Sequence, residues 1–419
     1  MNDLVVKGGQ VLTADGVASV DVGVADGVIA ELGKDLEGRD TIAADGAWVG
    51  PGFVDLHTHV REPGEEWKED IASASATAAA GGYTAIVAMP NTQPATDTGH
   101  LARHVKERGR EVGLVDVVPS GALTLGRKGE TMAHIDELWD AGVRLFTDDG
   151  DSVADASVLR LVMEYIAERG GVVSQHAVDP ALSRAGYMHE GPVSSRLGMY
   201  GIPGEADDVV IARDLALAGL TGVRYHVQHL STERGVTLIR EAKQSGLAVT
   251  AEVTAHHLMF TDEDVATTDS NFKMMPPLRS AADRAALRAG LVDGTIDVLA
   301  TDHAPHAALE KEVPFEHAPN GVLGLEWAAS VFATTCEVTP DLFFDRMSIA
   351  PAAIVGAPDQ GLPLAVGNPA NIVVFDPQTQ WIPTTTLSKS RNAPYFGRGL
   401  TGMVAATVFQ GAITHGSAT

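Results

Sequence analysis

The stretch PGFVDLHTHVREPG, residues 51–64, joins a short apolar run to two histidines and an arginine. It predicts a buried β-strand over 53–58, because apolar residues dominate there and Pro and Gly lie on both sides. His57 and His59 are two residues apart, so on a strand both side chains point to the same face. The stretch therefore predicts a strand that ends in a pair of possible metal ligands.

The same pairing of an apolar strand with a following helix recurs along the middle of the chain. We predict eight strands, near residues 53–58, 84–89, 115–120, 143–148, 172–176, 223–229, 248–254 and 297–302. The helices are clearest at 157–170 and 233–246, where apolar residues fall three or four apart and a glycine closes the end. Alternating strands and helices form parallel sheets with right-handed crossovers, and eight such units close into a (β/α)8 TIM barrel.

Both ends of the chain differ from this middle. The first ~50 residues and the stretches NPANIVVFDP (368–377) and GLTGMVAATVFQGAIT (399–414) are typical of short strands with tight turns. A lone hairpin is only marginally stable, so we expect the two ends to pair into one small β-sandwich module. The predicted division is 1–50 plus 365–419 for this module and 51–364 for the barrel.

Composition limits the possible partners. Lys and Arg number 30 against 55 Asp and Glu, giving a formal charge of -25, which disfavours nucleic acid and anionic membranes. An anionic substrate would need local positive charge from a metal or an arginine. The single cysteine, Cys336, excludes an internal disulfide and a thiolate metal cluster. The chain has neither a signal-peptide pattern at its start nor an apolar run of ~18 residues, so we expect a cytoplasmic protein.

Metal-binding residue types gather at the predicted strand ends, where catalytic groups of such barrels lie. They are His57 and His59 after the first strand, Asp148 or Asp149 after the fourth, His176 after the fifth, His229 after the sixth and Asp302 after the eighth. One histidine at a strand end is more often a structural residue, but six positions at successive ends indicate a divalent metal centre. Imidazole and carboxylate ligands suit Zn²⁺ and also accept other borderline divalent ions.

The remaining histidines near these strand ends are expected to play supporting roles. His226 lies three residues before His229, so on a strand it should face the other way and make structural hydrogen bonds. His256 and His257 follow the seventh strand and are interpreted as supporting or packing residues. His303 follows Asp302 directly and should point away from the metal.

Several motifs together resemble the type I dihydroorotases of bacteria, within the amidohydrolase superfamily. They are VDLHTHVREPG (54–64), MPNT (89–92), FTDDG (146–150), HLST (229–232), TDHAPH (301–306) and the lid-like VPFEHAPNGVLGLE (313–326). The resemblance runs from about residue 50 to about 330, and NPANIVVFDP resembles the closing β module of the superfamily. It implies reversible, zinc-dependent cyclisation of N-carbamoyl-L-aspartate to L-dihydroorotate in pyrimidine biosynthesis.

The resemblance also implies roles for the predicted ligands. His57, His59 and Asp302 would hold one zinc ion, and His176 and His229 a second. Asp149 would bridge the two, where hydantoinases use a carboxylated lysine; RLFTDDG contains no lysine, which argues against the hydantoinase branch. By residue type alone Asp148 is an equal candidate, and one or two zinc ions remain possible. Asp302 would act as general base and then as general acid.

Substrate contacts follow from the same resemblance. Arg61 would bind the substrate carboxylate through a forked contact, supported by Asn91 and His306. Backbone groups of Asn320 and Gly321 would complete the pocket. The alternative for Arg61 is a surface salt bridge to Glu62 or Glu65. The segment 306–320, called the lid segment below, has little periodicity and is predicted to exclude water when substrate is bound.

One position departs from the family. Its members usually carry an asparagine where this chain has Met275, in KMMPPLR, and methionine has no hydrogen-bond donor. Either Lys273 or a water replaces that contact, or the specificity for the ring has changed.

Two other functions are compatible with these motifs. One is a different cyclic amide hydrolase, such as an allantoinase or hydantoinase. The other is a non-catalytic scaffold for aspartate transcarbamoylase, although such chains typically lose metal ligands and this one keeps all six. An active enzyme that forms a homo-oligomer or also binds aspartate transcarbamoylase is a further expectation.

Overall fold

The first 51 residues form seven short strands in the computed structural model, which describes residues 1–184 and 186–418. They are β1 (Asn2–Lys7), β2 (Gln10–Thr13), β3 (Gly16–Ser19), β4 (Asp21–Ala25), β5 (Val28–Gly33), β6 (Gly38–Ala43) and β7 (Trp48–Pro51). One four-stranded sheet has the order β5-β4-β1-β6. Asp26 and Gly27 join β4 to β5 with φ values of 51° and 78°, the left-handed pair that a tight Asp-Gly hairpin turn requires.

Ten strands follow in the middle of the chain. They are β8 (Phe53–Thr58), β9 (Tyr83–Ala88), β10 (Asp116–Pro119), β11 (Leu145–Phe146), β12 (Val172–Gln175), β13 (Met188–His189), β14 (Gly201–Ile202), β15 (Arg224–Val227), β16 (Val249–Thr254) and β17 (Val298–Ala300). Apart from the small pair β13 and β14, each matches one of the eight strands predicted from the sequence. Parallel pairing orders them as β10-β9-β8 and β11-β12-β15-β16-β17.

Two contacts close these strands into a barrel. Thr58 bridges His303 in parallel, and the His59 amide donates to the His303 carbonyl at 2.9 Å. On the opposite side Gly121 bridges Phe146, and the Thr147 amide donates to the Gly121 carbonyl at 2.8 Å. The predicted (β/α)8 barrel is therefore confirmed.

Helices follow the barrel strands and cover them. They are α1 (Ile71–Ala80), α2 (Gly99–Val112), α3 (Ile135–Asp140), α4 (Ala156–Ala167), α5 (Pro180–Ser183), α6 (Pro192–Leu197), α7 (Glu205–Thr221), α8 (Glu233–Gln244), α9 (Ala255–Met259), α10 (Ala281–Asp293), α11 (Ala308–Lys311), α12 (Ala328–Thr335), α13 (Pro340–Phe344) and α14 (Ala350–Val355). Side chains cap the two helices predicted most clearly: Asp155 accepts amides at the start of α4 and Thr232 does so for α8. Among the described residues, none of the helices is long and apolar enough to span a membrane.

The C-terminal strands return to the N-terminal ones. They are β18 (Ile372–Trp381), β19 (Leu400–Phe409) and β20 (Ala412–His415), in a six-stranded sheet of order β20-β19-β18-β7-β2-β3. β18 pairs antiparallel with β7, with Ile372 opposite Pro51. Strands from the two ends thus share one sheet, while the division at residues 50 and 365 stays a prediction.

An aromatic cluster joins this sheet to the barrel. Phe343 is fully buried at the end of α13, between Trp48 of β7, Phe53 of β8 and Phe375 of β18. Its ring centroid lies 5.4, 5.5 and 4.6 Å from theirs, respectively. Rings at these separations add specific contacts to the hydrophobic burial. The cluster therefore anchors β8, the strand that carries His57, against the six-stranded sheet.

We predict that Phe343→Ala lowers the free energy of unfolding by about 3–5 kcal/mol, because it leaves a cavity where the six-stranded sheet meets the barrel. Denaturant unfolding followed by circular dichroism measures the change. Leu220→Ala is the matched control, since Leu220 is 61% exposed and its removal opens no cavity. Equal destabilisation by both substitutions would show that the aromatic cluster does not stabilise the junction between the six-stranded sheet and the barrel.

Candidate metal centre and active site

The six residues predicted as metal ligands lie together at one mouth of the barrel. They are His57, His59, Asp149, His176, His229 and Asp302, all buried. Two triplets have ligand atoms within 4.8 Å of one another: His57, Asp149 and His229, and His57, His59 and Asp302. His176 joins them through its Nδ1, which is 2.8 Å from His229 Nε2. Five strand ends thus supply one compact set of imidazoles and carboxylates.

Asp149 occupies the centre of this set. The distances from its carboxylate oxygens to the ring nitrogens are 3.2 Å for His57, 3.5 Å for His59, 3.8 Å for His176 and 4.0 Å for His229. A carboxylate with two oxygens among four rings is suited to contact two ions at once.

Asp148 points elsewhere. Its carboxylate accepts the amides of Leu123 at 2.8 Å and Thr124 at 3.0 Å, and also the Thr124 hydroxyl. Adjacent residues that follow a strand face opposite ways, and here the second of the pair faces the barrel mouth. The choice that residue type left open therefore falls geometrically on Asp149.

The charges around His57 favour a cation. Burial acts to lower the pKa of His57, but Asp149, Glu252 and Asp302 outweigh it and raise that pKa well above its usual value. His57 Nε2 is buried and makes no hydrogen bond among the described residues. A free imidazole nitrogen beside buried carboxylates is the donor set that a divalent ion such as Zn²⁺ needs. The residues fit a metal.

Sequence reasoning missed Glu252, in the middle of β16. Its side chain is buried, and its Oε1 lies 2.7 Å from His57 Nδ1. Burial acts to raise the pKa of Glu252, but His57 and His226 outweigh it and bring that pKa to about 2. The available signal was a charged residue inside VTAEVT, an otherwise uncharged stretch predicted to be a buried strand.

His226 does make structural hydrogen bonds, but its predicted orientation away from the site is wrong. Its Nε2 lies 3.1 Å from Glu252 Oε2, so it reaches the same buried cluster as His57. Strict alternation does not relate His226 to His229, because β15 ends at Val227 and His229 lies on the turn beyond the strand.

Three site residues have unusual backbone conformations. Arg61, His229 and Asp302 have φ values of 60°, 32° and 44°, in the left-handed region that non-glycine residues rarely adopt. Each follows a barrel strand, where the chain turns sharply and the side chain is directed to the mouth. Such strain is concentrated at functional sites.

A cavity of about 380 Å³ opens over the cluster. Its lining includes every residue predicted to contact substrate: Arg61, Asn91, His306, Asn320 and Gly321. Ligand atoms and predicted substrate contacts thus face one space of small-molecule size.

Arg61 is buried beside this cavity, with 8% of its surface exposed. Its Nε donates to the Pro305 carbonyl at 3.2 Å, and its Nη1 is 3.8 Å from Glu65 Oε2. The alternative pairing with Glu65 is therefore present as a long contact, but the guanidinium is not on the surface. Glu62 instead accepts the Ile71 amide at 2.9 Å.

Asn91 and His306 line the cavity together with Arg61. Asn91 Oδ1 is 2.8 Å from His59 Nδ1, so this amide contacts a predicted ligand as well as the cavity. His306 donates from Nε2 to the Asn320 carbonyl at 2.8 Å. Burial, followed by the charge of Arg61, lowers the pKa of His306 to about 2, so the ring is neutral.

Met275 also lines the cavity and packs against Val178, Ile202 and Ala206. Lys273 does not take the place of the usual asparagine: its Nζ donates to the Phe315 carbonyl at 2.7 Å and the Glu316 carbonyl at 3.0 Å. This part of the cavity wall is therefore apolar.

Two of the other supporting histidines, His257 and His303, hold backbone segments, whereas the buried ring nitrogens of His256 make no hydrogen bond among the described residues. His257 Nε2 donates to the Pro276 carbonyl at 3.1 Å, which fixes the turn that carries Met275. His303 accepts the Gly324 amide at Nδ1, and its Nε2 is 3.4 Å from the buried Glu69. His303 thus faces away from the neighbouring Asp302, as expected.

Known proteins resemble the chain over nearly its whole length. The family model described as Dihydro-orotase-like matches residues 46–235. The dihydroorotase of Mycobacterium bovis is 46% identical over 408 residues, covering 94% of each chain. That of Anaeromyxobacter sp. strain K is 44% identical, covering 98% of each. Among solved structures, the L-hydantoinase of Arthrobacter aurescens superimposes with a TM-score of 0.89 at 26% identity, covering 100% of this chain and 97% of the other.

We predict that Asp149→Asn lowers zinc affinity more than the roughly 10- to 100-fold typical of losing an outer-shell partner, because a central charge is removed. Chelator competition and elemental analysis of the purified protein measure it. Asp148→Asn is the matched control and should keep wild-type affinity. Wild-type affinity in Asp149→Asn, together with a large loss of affinity in Asp148→Asn, would show that Asp148 and not Asp149 is the ligand.

Proposed function

The chain belongs to the dihydroorotase family of cyclic amidohydrolases, and on this basis we propose that it interconverts N-carbamoyl-L-aspartate and L-dihydroorotate with the help of zinc. The observation that carries the proposal is the position of Arg61, buried beside the same cavity as the metal-type cluster. A cyclic amide with a carboxylate can meet both features at once. An uncharged ring would leave Arg61 without a close anionic partner, because its contact with Glu65 is 3.8 Å long.

We assign the metal to the six clustered residues. His57, His59 and Asp302 would hold one ion, His176 and His229 a second, and Asp149 both. The central position of Asp149 among four rings supports the bridging role, and the donor set supports zinc. When bound, zinc would polarise the ring carbonyl and lower the pKa of water towards ~7.

Arg61 is proposed to orient the substrate. Its planar guanidinium offers paired donors to a carboxylate, and burial strengthens such a contact. Asn91 and the neutral His306 would supply further polar contacts without adding charge. Local positive charge from Arg61 would thus admit an anion despite the acidic surface of the protein.

The backbone at 320–321 would complete the pocket. The Gly321 amide already donates to the Lys273 carbonyl at 2.9 Å, so we assign the Asn320 amide to the substrate. Gly321 has a φ of 136°, and a Cβ there would lie 2.7 Å from Ala304 Cβ and 3.0 Å from His306 Nε2. Only glycine lets the chain approach the cavity this closely.

Asp302 is proposed to move the proton. In the hydrolytic direction, water attacks the ring amide carbonyl and Asp302 accepts its proton. Asp302 then returns the proton to the ring nitrogen as the C–N bond breaks. The contact of 3.0 Å between Asp302 Oδ1 and His59 Nε2 supports this role, because it keeps the carboxylate at the cavity floor.

The lid segment is proposed to exclude water during this step. Two buried lysines support a closed position: Lys273 binds carbonyls at 315 and 316, and Lys311 Nζ donates to the Pro319 carbonyl at 2.9 Å. A covered cavity strengthens the electrostatic contacts inside it.

The cytoplasmic location, a homo-oligomeric state and a complex with aspartate transcarbamoylase are proposed from the family resemblance. The acidic composition supports the exclusion of nucleic acid and of anionic membranes as partners.

We predict that Arg61→Ala lowers kcat/KM for dihydroorotate roughly 10- to 150-fold, because losing a charge-assisted contact costs about 1.5–3 kcal/mol. Dihydrouracil, the same ring without the carboxylate, should be a poor substrate for both proteins and lose little on substitution. Ultraviolet absorbance of the ring follows both reactions. Wild-type preference for dihydrouracil or a hydantoin would instead favour another cyclic amide hydrolase.

We also predict that Asp302→Asn leaves the protein folded but abolishes turnover in both directions, because an amide cannot accept the proton. Thermal unfolding checks the fold, and the same absorbance assay checks turnover. His303→Gln is the control for the adjacent position, and it should keep measurable turnover. Near-normal activity of Asp302→Asn would remove this residue from the proposed role.

A further inference from the structure

Glu252 is a buried carboxylate behind the metal-type cluster, outside the cavity lining. Its Oε1 is 2.7 Å from His57 Nδ1 and accepts the His229 amide at 3.2 Å. Its Oε2 is 3.1 Å from His226 Nε2. Three nitrogen groups therefore converge on one carboxylate, from β8, β15 and the turn after β15.

The carboxylate of Glu252 decides which ring nitrogen of His57 and of His226 carries a proton. An ionised carboxylate only accepts hydrogen bonds, so both ring nitrogens that face Glu252 must be protonated. In the neutral ring that a metal ligand requires, the lone pair of His57 is then on Nε2, the atom that lies 3.2 Å from Asp149 Oδ1. His226 can be protonated on Nε2 because its Nδ1 can accept the Thr250 hydroxyl, 2.8 Å away.

Glu252 also holds the turn at His229. Besides the His229 amide bound by its side chain, the Glu252 carbonyl accepts the Leu230 amide at 2.8 Å. His229 has the smallest φ of the three left-handed site residues, 32°. A backbone in this region persists only where its surroundings hold it.

We propose that Glu252 is a positioning residue that orients one ligand in each half of the metal centre. It fixes the tautomer of His57 through Nδ1 and the backbone of His229 through its amide. His226 completes the arrangement through its contact with the second oxygen of Glu252, Oε2. The inference rests on the proposed metal centre but not on the identity of the ring that is cleaved.

A purely structural role for Glu252 is the alternative, because removing any buried, hydrogen-bonded carboxylate destabilises a protein. Asp214 provides the matched control. It is equally buried and accepts from Gln175 at 3.2 Å and Tyr225 at 2.9 Å, beside Arg213. No contact joins it to a proposed ligand among the described residues.

The experiment compares Glu252→Gln, Glu252→Ala and Asp214→Asn in the full-length protein. After removal of metal, chelator competition gives the affinity for Zn²⁺, and the visible spectrum of the Co²⁺-loaded protein reports the ligand geometry. Thermal unfolding of the metal-free proteins measures structural damage separately.

We expect Glu252→Gln to bind Zn²⁺ about 10-fold more weakly than wild type, and Glu252→Ala up to about 100-fold. Glutamine is the milder change because its oxygen still accepts from His57 and His229, while His226 can move its proton to Nδ1. The Co²⁺ spectrum should change in Glu252→Ala. Asp214→Asn should lower thermal stability without changing affinity or spectrum.

Three results would overturn the proposal and can be told apart. Wild-type affinity and spectrum in folded Glu252→Gln and Glu252→Ala would remove the positioning role and leave the metal centre intact. A wild-type protein that binds no Zn²⁺ would remove the proposed metal centre and this role with it. Equal loss of affinity in Asp214→Asn would assign the effect to general destabilisation.

Discussion

The concentration of buried negative charge at one mouth of the barrel is the constraint on which the site depends. Asp149, Glu252 and Asp302 are all removed from water within one cluster. Uncompensated charges of one sign in such surroundings are costly, so the cluster requires neighbouring cations, protons or a bound ion. The four histidines supply nitrogen atoms directed at the carboxylates, and barrel closure brings them from sequence-distant strands. Fold and chemistry are therefore linked through a single electrostatic requirement.

In the proposed function, the polar half of the cavity answers a second requirement, the admission of an anion by an acidic protein. Arg61 is held by the Pro305 carbonyl instead of by a close carboxylate, so its donors are not fully neutralised. His306 contributes a neutral ring whose Nε2 proton is already committed to Asn320. Opposite them, Met275 provides an apolar wall where the family usually has an amide. In the proposed function, the cavity would thus combine firm recognition of charge with looser recognition of the ring.

Features that repeat along the chain could be predicted from the sequence, whereas those that depend on contacts between distant residues could not. Strand periodicity located β8 to within a residue, and His-x-His showed which face carries His57 and His59. Glu252 was missed because its role depends on the contact with His57, 195 residues away in the sequence. Periodicity carries no information on a contact between such distant residues. The orientation of His226 was misjudged because the end of β15 depends on pairing with its neighbours. The left-handed backbones at Arg61, His229 and Asp302 likewise follow from tertiary contacts, since residue type alone does not predict that conformation, even for Asp and His, which adopt it more often than most.

The shared sheet of the two chain ends has a consequence for biosynthesis. β7 leaves the ribosome early, but its antiparallel neighbour β18 is among the last strands to be translated. Until then one edge of β7 offers unpaired amides and carbonyls directly before the strand that carries His57. Nascent chains would thus expose an unpaired, aggregation-prone strand edge while the barrel is being synthesised. During this stage a chaperone or the barrel helices must cover the edge. Truncation before Ile372 would leave that edge permanently open, even though every residue at the barrel mouth would still be present.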